Sequence, residues 1–361
     1  MSPIRVHVVG LGRIAEHHLS AISKISGFTV GYLVDKDGEK SSLCEKYSAL
    51  GFFETIKQLY AVGSPDDVVV ICTPSGVHFG HVQALNQAGF KNFVVEKPCF
   101  LRVQDGLTIM RLLESGEIHN FVPVFQNRFN VAVQYSKSRI QQGCLGEILS
   151  AKVAVDWSRP AKYYEQALWR GTYSLDGGCL TNQCIHHLDC LRYLIGDVKW
   201  VDIRCRTANL DLEIEDTAVG SFGFGVDRVG SLHVQTSLRS IDREASISVY
   251  GSKADLKVGG IALNNLDWDT SSDQIDVSEM YSEDFSDCVY GNGHVKMYSA
   301  LRSNNLRSPV SFEDALSTIR FLNACYLSDE TQGVVQVNQN AVSQRLGVPD
   351  EVFDLYMEGV F

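Results

Sequence analysis

Apolar runs and helical periodicity alternate through the first third of the chain. Five short apolar segments predict buried strands, at residues 4–9, 28–34, 68–72, 92–96 and 121–125. Apolar positions at helical spacing follow the first and the third of them, to about residue 25 and over 77–88. Strands that alternate with helices are typical of a parallel sheet covered on both faces. The pattern therefore predicts a doubly wound α/β domain.

The pattern changes near residues 125–130, where the alternation ends. Further runs with turn residues between them predict strands at 151–155, 200–206, 217–224, 229–236 and 245–250, and a late helix at 312–327. This half of the chain is rich in β-structure. The sequence thus predicts two domains, one over residues 1–125 and one over residues 126–361.

A glycine-rich turn follows the first predicted strand. Gly10-Leu11-Gly12-Arg13-Ile14-Ala15 leads into a helix, and the second strand ends at Asp35, 20 residues after Ala15. Such glycines let the backbone approach a pyrophosphate, and the acid accepts hydrogen bonds from a ribose. An ordinary tight turn is the alternative. Because no arginine stands at 36–38, the cofactor is predicted to be NAD rather than NADP. The predicted contacts here are Gly10, Gly12, Arg13, Ile14 and Asp35.

Polar residues follow the later strands of the same domain. Ligands of open parallel sheets bind beyond the carboxyl ends of the strands, so each end is a candidate contact. Lys97, in Glu96-Lys97-Pro98, would project toward a nicotinamide; the alternative is a surface lysine in a turn fixed by proline. The cofactor contacts predicted from these ends are Thr73, Pro74, His78, Glu96, Lys97, Gln126 and Arg128.

An Asp-Gly-Gly turn at residues 176–178 precedes a predicted helix in the second half. At 100° per residue, Asn182, His186 and Asp189 fall within one narrow arc, together with Tyr193. The opposite side is apolar and predicts the buried stripe: Ile185, Leu188, Leu191 and Ile195. A face that carries an amide, an imidazole and a carboxylate suits the wall of a site. A packed helix with a satisfied histidine and a solvated face is the alternative.

Composition narrows the class of function. The 32 basic and 43 acidic residues argue against a nucleic-acid partner. Ten cysteines without a Cys-x-x-Cys pair fit thiols in a reducing cytoplasm. Neither a signal peptide nor a membrane span is expected. His17-His18 and His186-His187 lack further ligands at suitable spacing, so no metal is predicted.

One local segment is basic and aromatic despite the acidic balance of the chain. Arg159, Lys162 and Arg170 lie close in sequence to Tyr163 and Tyr164. Positive charge beside aromatic rings suits an anionic sugar nucleotide. A solvated loop is the alternative.

Three motifs in order resemble those of a known family. The glycine turn, Glu96-Lys97-Pro98 and the later Gly-Gly…His-x-x-Asp helix are similar to the Gfo/Idh/MocA oxidoreductases over nearly the whole chain. The resemblance implies an N-terminal Rossmann domain and a C-terminal α+β domain with a large, mostly antiparallel, open-faced sheet. It also implies a homotetramer, because that sheet would otherwise expose an apolar patch. Family members usually carry a third glycine and an aspartate where this chain has Cys179 and Asn182, so proton transfer rests more heavily on His186 and Lys97.

Within the family, five strings resemble the bacterial UDP-N-acetyl-2-amino-2-deoxyglucuronate 3-dehydrogenases of lipopolysaccharide O-antigen synthesis. They lie at residues 126–130, 163–164, 169–173, 182–186 and 290–294. This resemblance implies an anionic sugar nucleotide as the substrate. The substrate contacts it implies are Lys97, Arg159, Lys162, Tyr163, Tyr164, Trp169, Arg170, Asn182 and His186.

Oxidation of a secondary alcohol needs a hydride acceptor and a base at the hydroxyl. An imidazole titrates near neutral pH, so His186 is predicted to be that base. Lys97 either stabilises the developing negative charge as a cation or serves as a neutral base after burial lowers its pKa. Two other functions stay open: a different sugar or inositol dehydrogenase on the same scaffold, and a non-catalytic nicotinamide-binding regulator.

Overall fold

The computed structural model describes residues 3–208, 211–238, 240–271 and 293–358. This part of the chain divides into two compact units. The first comprises the described parts of residues 1–124, 294–316 and 349–361, and the second those of 125–293 and 317–348. Each unit has its own sheet and its own hydrophobic core.

A parallel six-stranded sheet forms the centre of the first unit. Its strands are β1 (Ile4–Val9), β2 (Phe28–Val34), β3 (Gly51–Phe53), β4 (Val68–Ile71), β5 (Asn92–Val95) and β6 (Asn120–Pro123). They lie in the order β3-β2-β1-β4-β5-β6, and Val6 of β1 pairs with Val30 on one side and Val68 on the other. The strand order reverses at β1, where sheets of this kind bind dinucleotides. The predicted doubly wound domain is confirmed.

Helices connect these strands. They are α1 (Arg13–Lys24), α2 (Leu43–Tyr47), α3 (Ile56–Leu59), α4 (His78–Gln87) and α5 (Val103–Glu114). Helix α1 buries Ala15, Leu19 and Ile22, whose spacing of four and three residues gives one apolar stripe. That stripe packs against β2 and brings the start of the helix to the glycine turn. Among the helices that the structure describes, in both units, none is long and apolar enough to cross a membrane.

Two late segments belong to the first unit, although the sequence assigns them to the second domain. The helices concerned are α9 (Gly293–Ser303), α10 (Phe312–Thr331), which the boundary after residue 316 divides, and α11 (Glu351–Glu358). The ring of Tyr298 meets that of Phe28 edge-on at 6.0 Å, and Phe312 meets Phe121 at 5.2 Å. These contacts join residues almost 200 or more positions apart. Local periodicity therefore gives no sign of them.

An eight-stranded sheet dominates the second unit. Its strands are β7 (Ile148–Asp156), β8 (Val198–Arg206), β9 (Thr217–Phe224), β10 (Arg228–Gln235), β11 (Glu244–Gly251), β12 (Asp255–Gly259), β13 (Asn265–Asp269) and β14 (Val335–Gln336). The order is β13-β12-β11-β7-β10-β9-β8-β14, antiparallel except for the parallel pair β7–β10. The five strands predicted here correspond to β7–β11. The last three were not predicted.

One face of this sheet is covered by helices. The second unit contains α6 (Val131–Gln141), α7 (Ala161–Tyr164), α8 (Ile185–Ile195) and most of α10, with a 3₁₀ turn at Gln126–Phe129 and a π-helical segment at Cys179–Gln183. Helix α8 packs against β7 and β11. Its Leu188 and Leu191 are fully buried. Phe321 of α10 packs on Phe222 of β9, with ring centroids 6.4 Å apart. This core fixes α8, which carries the predicted base.

The other face of the sheet is mixed rather than apolar. Val219 and Val229 are about half exposed, but the neighbouring positions on this face are polar, among them Ser231 and His233 on β10 and Lys152 on β7. The expected apolar patch is therefore not present on these strands. Because successive side chains of a strand point to opposite faces, the apolar side chains face the core and a mixture of polar and apolar side chains faces outward.

Candidate cofactor and substrate residues

The glycine turn lies between the ends of β1 and β4. Gly10 has a φ of 84°, and a Cβ there would stand 2.8 Å from the backbone of Cys72 and Thr73, so only glycine fits. A Cβ at Gly12 would meet no atom within 4 Å. Gly12 therefore borders open space at the start of α1, where backbone N–H groups and the helix dipole favour a pyrophosphate. Arg13 and Ile14 form the first turn of that helix.

Asp35 directly follows β2 and reaches back to the turn. Its Oδ2 accepts the N–H of Leu11 at 2.6 Å, and its Oδ1 accepts the N–H of Asp37 at 2.9 Å. A carboxylate offers about four lone-pair positions, so two stay available for a ribose diol. Lys36 and Asp37 follow, with no arginine to receive a 2′-phosphate. The residues of this turn fit NAD.

His78 lies behind the strand ends rather than at the surface. It is fully buried, with Nε2 2.7 Å from the carbonyl oxygen of Thr73 and Nδ1 3.0 Å from that of Pro98. Burial lowers the pKa of its imidazole. These contacts make His78 a brace between the ends of β4 and β5. His78 would therefore act on the cofactor only indirectly, by holding Thr73. The hydroxyl of Thr73 lies 3.0 Å from Nδ1 of His81.

Glu96 is also buried, and its carboxylate holds the main chain of the predicted catalytic lysine. Oε2 accepts the N–H of Lys97 at 3.0 Å, and Oε1 lies 2.8 Å from Nε2 of His18 and 3.6 Å from Nε2 of His294. Burial opposes ionisation of Glu96, but its hydrogen bond with His18 and the nearby imidazole of His294 outweigh burial and keep its pKa well below the usual range. Nδ1 of His18 lies 2.8 Å from the hydroxyl of Tyr298. Glu96 is therefore a support for Lys97, not an exposed cofactor ligand.

This cluster also corrects the spacing argument about metals. His18, Glu96 and His294 bring three potential ligand atoms within 4.8 Å of one another. The third group comes from α9, far along the chain, so sequence spacing could not reveal it. The His18 side chain is already engaged on both ring nitrogens by protein groups. The contacts thus describe a hydrogen-bonded network around an ionised carboxylate.

In the second unit, the predicted base lies at the first turn of α8. His186 is half-buried, and its Nε2 lies 3.1 Å from Nε2 of Gln126. The ring of Phe125 stands edge-on to it, with centroids 6.3 Å apart. Gln126 was predicted as a cofactor contact; here it orients His186. Lys97 belongs to the other unit, so the meeting of Lys97 and His186 on one substrate stays a prediction.

The helical pattern predicted that Asp189 shares an exposed polar face with His186, and this is wrong. It is fully buried, and Arg128 donates to it through Nε and Nη2, both at 2.6 Å. Thr318 adds a hydrogen bond at 3.0 Å. A two-pronged guanidinium–carboxylate pair of this kind is strong and directional. Arg128, predicted as a cofactor contact, therefore fixes α8 to the turn at Gln126–Phe129.

Asn182 also departs from the expected helical face. It lies in the π-helical segment Cys179–Gln183, where 100° per residue does not apply. Its Nδ2 donates to Oδ1 of the buried Asp176 at 2.5 Å and lies 3.4 Å from the hydroxyl of Tyr163. Asp176 also accepts the N–H of Gly171 at 3.1 Å. A carboxylate already occupies the position beside residue 182, which explains the amide here.

The basic, aromatic segment folds into one cluster around the hydroxyl of Tyr163. Arg170 donates to that oxygen at 2.7 Å and Gln183 at 3.0 Å. The guanidinium of Arg159 lies 5.8 Å from the Tyr163 ring centroid, and its Nε donates to Gln183 at 3.1 Å. Arg170 also lies over the ring of Trp169, at 4.4 Å. The structure thus brings together five of the predicted substrate residues: Arg159, Tyr163, Trp169, Arg170 and Asn182. Sequence proximity alone could not establish this.

The predicted substrate residues Lys162 and Tyr164 do not reach the Tyr163 hydroxyl, and two residues of the cluster were not predicted. Lys162 is exposed and Tyr164 is buried, its ring edge-on to that of Tyr163. Sequence reasoning missed Gln183, although it stands next to Asn182, and Asp242, which pairs with Arg159 at 3.1 Å. Of the string at 290–294, residues 290–292 lie outside the described residues. Burial is the largest cause of the raised pKa of Tyr163, so its phenol stays protonated at neutral pH.

Comparisons with known proteins agree with this architecture. Residues 4–121 match the NAD-binding Rossmann fold of the GFO_IDH_MocA oxidoreductase family, and residues 137–337 match its C-terminal α/β domain. The chain belongs to the Gfo/Idh/MocA family. It is an oxidoreductase with an NAD-binding domain, as the three motifs predicted.

Solved members of the Gfo/Idh/MocA family include two similar structures. The WlbA dehydrogenase of Chromobacterium violaceum, solved with NADH and UDP-GlcNAcA, is 29% identical with a TM-score of 0.84, over 94% of this chain and 97% of that one. The WlbA dehydrogenase of Bordetella pertussis, solved with the same ligands, is 28% identical with a TM-score of 0.83, over 94% and 98%. An inositol 2-dehydrogenase of Rhizobium meliloti is 25% identical over 73% of this chain and 76% of that one.

Proposed function

We propose that this enzyme oxidises a secondary hydroxyl of a sugar nucleotide, with NAD as the hydride acceptor. The specific substrate we propose is a UDP-N-acetylglucosaminuronate, oxidised at its 3-hydroxyl in the biosynthesis of lipopolysaccharide sugars. The similarity to the two WlbA dehydrogenases supports this substrate. The observation that carries it is the guanidinium of Arg170 in the cluster around Tyr163, because a free polyol has no negative charge for it to recognise. Arg159, in the same cluster, is already paired with Asp242.

The hydrogen bonds around Tyr163 support recognition of an acceptor-rich ligand. Arg170 and Gln183 donate to its oxygen at 2.7 and 3.0 Å, and the amide of Asn182 lies 3.4 Å away. These N–H donors occupy the two lone pairs of the phenol. Its own O–H is then left to donate. A protonated phenol beside two guanidinium groups suits a carboxylate or a phosphate.

Two residues are proposed to act on the hydroxyl that is oxidised. NAD, when bound, supplies the hydride acceptor. His186 accepts the proton of the substrate hydroxyl, with Gln126 and Phe125 fixing the orientation of its ring. Lys97 stabilises the negative charge that develops on the same oxygen. Glu96 fixes the main chain of Lys97 through its N–H.

A substrate panel tests the proposal. Purified enzyme with NAD is offered UDP-N-acetylglucosaminuronate, UDP-N-acetylglucosamine, the free uronate and myo-inositol, and formation of reduced nicotinamide is followed by absorbance. We expect the highest kcat/KM for the UDP-linked uronate, and a loss of at least about tenfold for Arg170→Met on that substrate. Preference for myo-inositol, unaffected by Arg170→Met, would establish the inositol dehydrogenase alternative. Reduction of NAD by none of the four would favour the non-catalytic regulator.

Assembly and location are part of the same proposal. We infer a homotetramer from the family, and the mixed outer sheet face indicates that a contact there would be partly polar. Light scattering at micromolar concentration checks this, and a monomer would contradict it. The nine described cysteines are all free thiols. This supports a reducing compartment such as the cytoplasm.

A further inference from the structure

The C-terminal helix α11 packs on the dinucleotide side of the first unit. Its Met357 places Cε 3.6 Å from the position of a Cβ built on Gly80, which lies on α4. Its Tyr356 lies under the ammonium of Lys36, with Nζ 4.4 Å from the ring centroid. Lys36 directly follows Asp35 at the end of β2. Helix α11 thus contacts both the residue after the ribose-binding acid and the helix that follows β4.

Tyr356 also lies within the electrostatic influence of Asp35. Burial raises the pKa of its phenol, and the negative charge of Asp35 raises it further. Leu355, the preceding residue, is 67% exposed, so the helix presents Tyr356 inward and Leu355 to solvent. An aromatic ring therefore stands at Lys36, the residue next to the carboxylate that is predicted to hold the adenosine ribose.

The position of the ribose determines what lies next to this ring. When the ribose hydroxyls bind Asp35, the pyrophosphate lies toward Gly12 and the base extends the other way. A purine has two apolar, aromatic faces and needs a wall of apolar or aromatic side chains. We propose that Tyr356 and Met357 of α11 form that wall for the adenine of NAD.

The same geometry gives Tyr356 a part in cofactor discrimination. A cation over an aromatic face is attracted by the ring. Lys36 is thereby held on Tyr356, and is not free to pair with a 2′-phosphate beside Asp35. Tyr356 thus both contacts the adenine and restrains a cation that would favour NADP at this strand end.

Binding of cofactor fragments tests the wall without using activity. Dissociation constants of ADP-ribose and NMN are measured by calorimetry for the wild type, Tyr356→Ala, Tyr356→Phe and the control Leu355→Ala. We expect Tyr356→Ala to weaken ADP-ribose about 5- to 100-fold and to leave NMN unchanged, while Tyr356→Phe and Leu355→Ala bind like the wild type. Unchanged ADP-ribose affinity in Tyr356→Ala would overturn the proposal. Neither measurement depends on the sugar substrate, so failure here leaves the proposed function intact.

Two further measurements are needed. The first uses the wild type, so it holds even if Tyr356→Ala unfolds α11, and the second tests the role of Lys36. Amide hydrogen exchange of residues 351–358 in the wild type should slow on addition of ADP-ribose and not of NMN; equal exchange with both overturns the contact. The ratio of the dissociation constants for NADPH and NADH should fall at least about threefold in Tyr356→Ala. A ratio equal to that of the wild type would refute the restraint on Lys36.

Discussion

The imidazole of His18 lies 2.8 Å from the carboxylate of Glu96, deep in the first unit. Because Glu96 is ionised, Nε2 of His18 donates to it, and Nδ1 accepts from the hydroxyl of Tyr298. The second carboxylate oxygen holds the N–H of Lys97. A chain of hydrogen bonds therefore runs from α9 to the backbone of the predicted catalytic lysine.

Removal of His18 should destabilise the first unit. In His18→Leu the buried carboxylate loses a charged-group hydrogen bond, which costs about 1.5 to 3 kcal/mol. Urea denaturation at pH 8 measures the free energy of unfolding. His119→Leu, the same change at an exposed histidine, should lie within about 0.5 kcal/mol of the wild type. Equal stability of the two variants would mean that His18 does not support Glu96.

Replacement of either His186 or Lys97 should abolish most turnover and spare cofactor binding. General acid–base catalysis contributes about 100- to 10,000-fold in rate, and one group that stabilises a developing oxyanion about 100- to 1,000-fold. His186→Ala and Lys97→Met should therefore each lose at least about 100-fold in single-turnover reduction of NAD. Neither residue lies in the glycine turn or at Asp35, so the dissociation constant of NADH should stay within about twofold. Lys57→Ala, at an exposed lysine, is the control. Wild-type turnover in His186→Ala would remove it from the mechanism.

Restoring the family's usual aspartate at position 182 should harm this protein. In Asn182→Asp a second carboxylate would stand beside Asp176, where the amide now donates at 2.5 Å. One of the two would be protonated with a raised pKa. A raised native pKa contributes stability that is lost as pH rises, so the deficit relative to the wild type should grow from pH 5 to pH 8. Denaturation at both values measures it.

The exchanged pair is the matched control for that variant. Asp176→Asn combined with Asn182→Asp keeps one carboxylate and one amide in contact. It should recover at least half of the lost stability, because the repulsion is absent. A double variant as unstable as Asn182→Asp alone would show that repulsion between residues 176 and 182 is not the cause.

The free energy of unfolding should fall as the pH is lowered, because of His187. This residue is fully buried against Trp157, and burial lowers the pKa of its imidazole to about 4. Because this pKa is lower in the folded than in the unfolded chain, the unfolded chain takes up the proton at a higher pH. The contribution of His187 to the free energy of unfolding is therefore full above about pH 6.5 and is lost as the pH falls toward 4. Between pH 8 and pH 5 the loss is about 2 kcal/mol.

His187→Phe should remove this dependence. The drop in unfolding free energy between pH 8 and pH 5 should be about 2 kcal/mol smaller than in the wild type. His233→Gln, on the exposed outer face of the sheet, should leave the drop unchanged. The same pH profile in all three proteins would contradict a neutral buried His187.

The sequence predicts those parts of the site whose order along the chain is their order in space. Gly10, Gly12 and Asp35 belong to one strand–turn–helix–strand unit, so their roles follow from local spacing. His18, Glu96 and His294 come from three distant segments, and spacing alone does not bring them together. Asp189 shows the limit of a helical wheel, which gives an angle but not the partner; Arg128, 61 residues away, makes that carboxylate internal. Asn182 was misplaced because its segment is π-helical rather than α-helical.

The late segments of the first unit have a consequence for biosynthesis. Its sheet is complete after β6, yet residues 294–316 and 349–358 must still join it. A ribosome delivers the chain from the N-terminus, so the nucleotide-binding unit cannot finish folding until residues 349–358 have been made. A premature stop before residue 349 therefore damages the first unit of the protein, although every strand of both sheets has already been made.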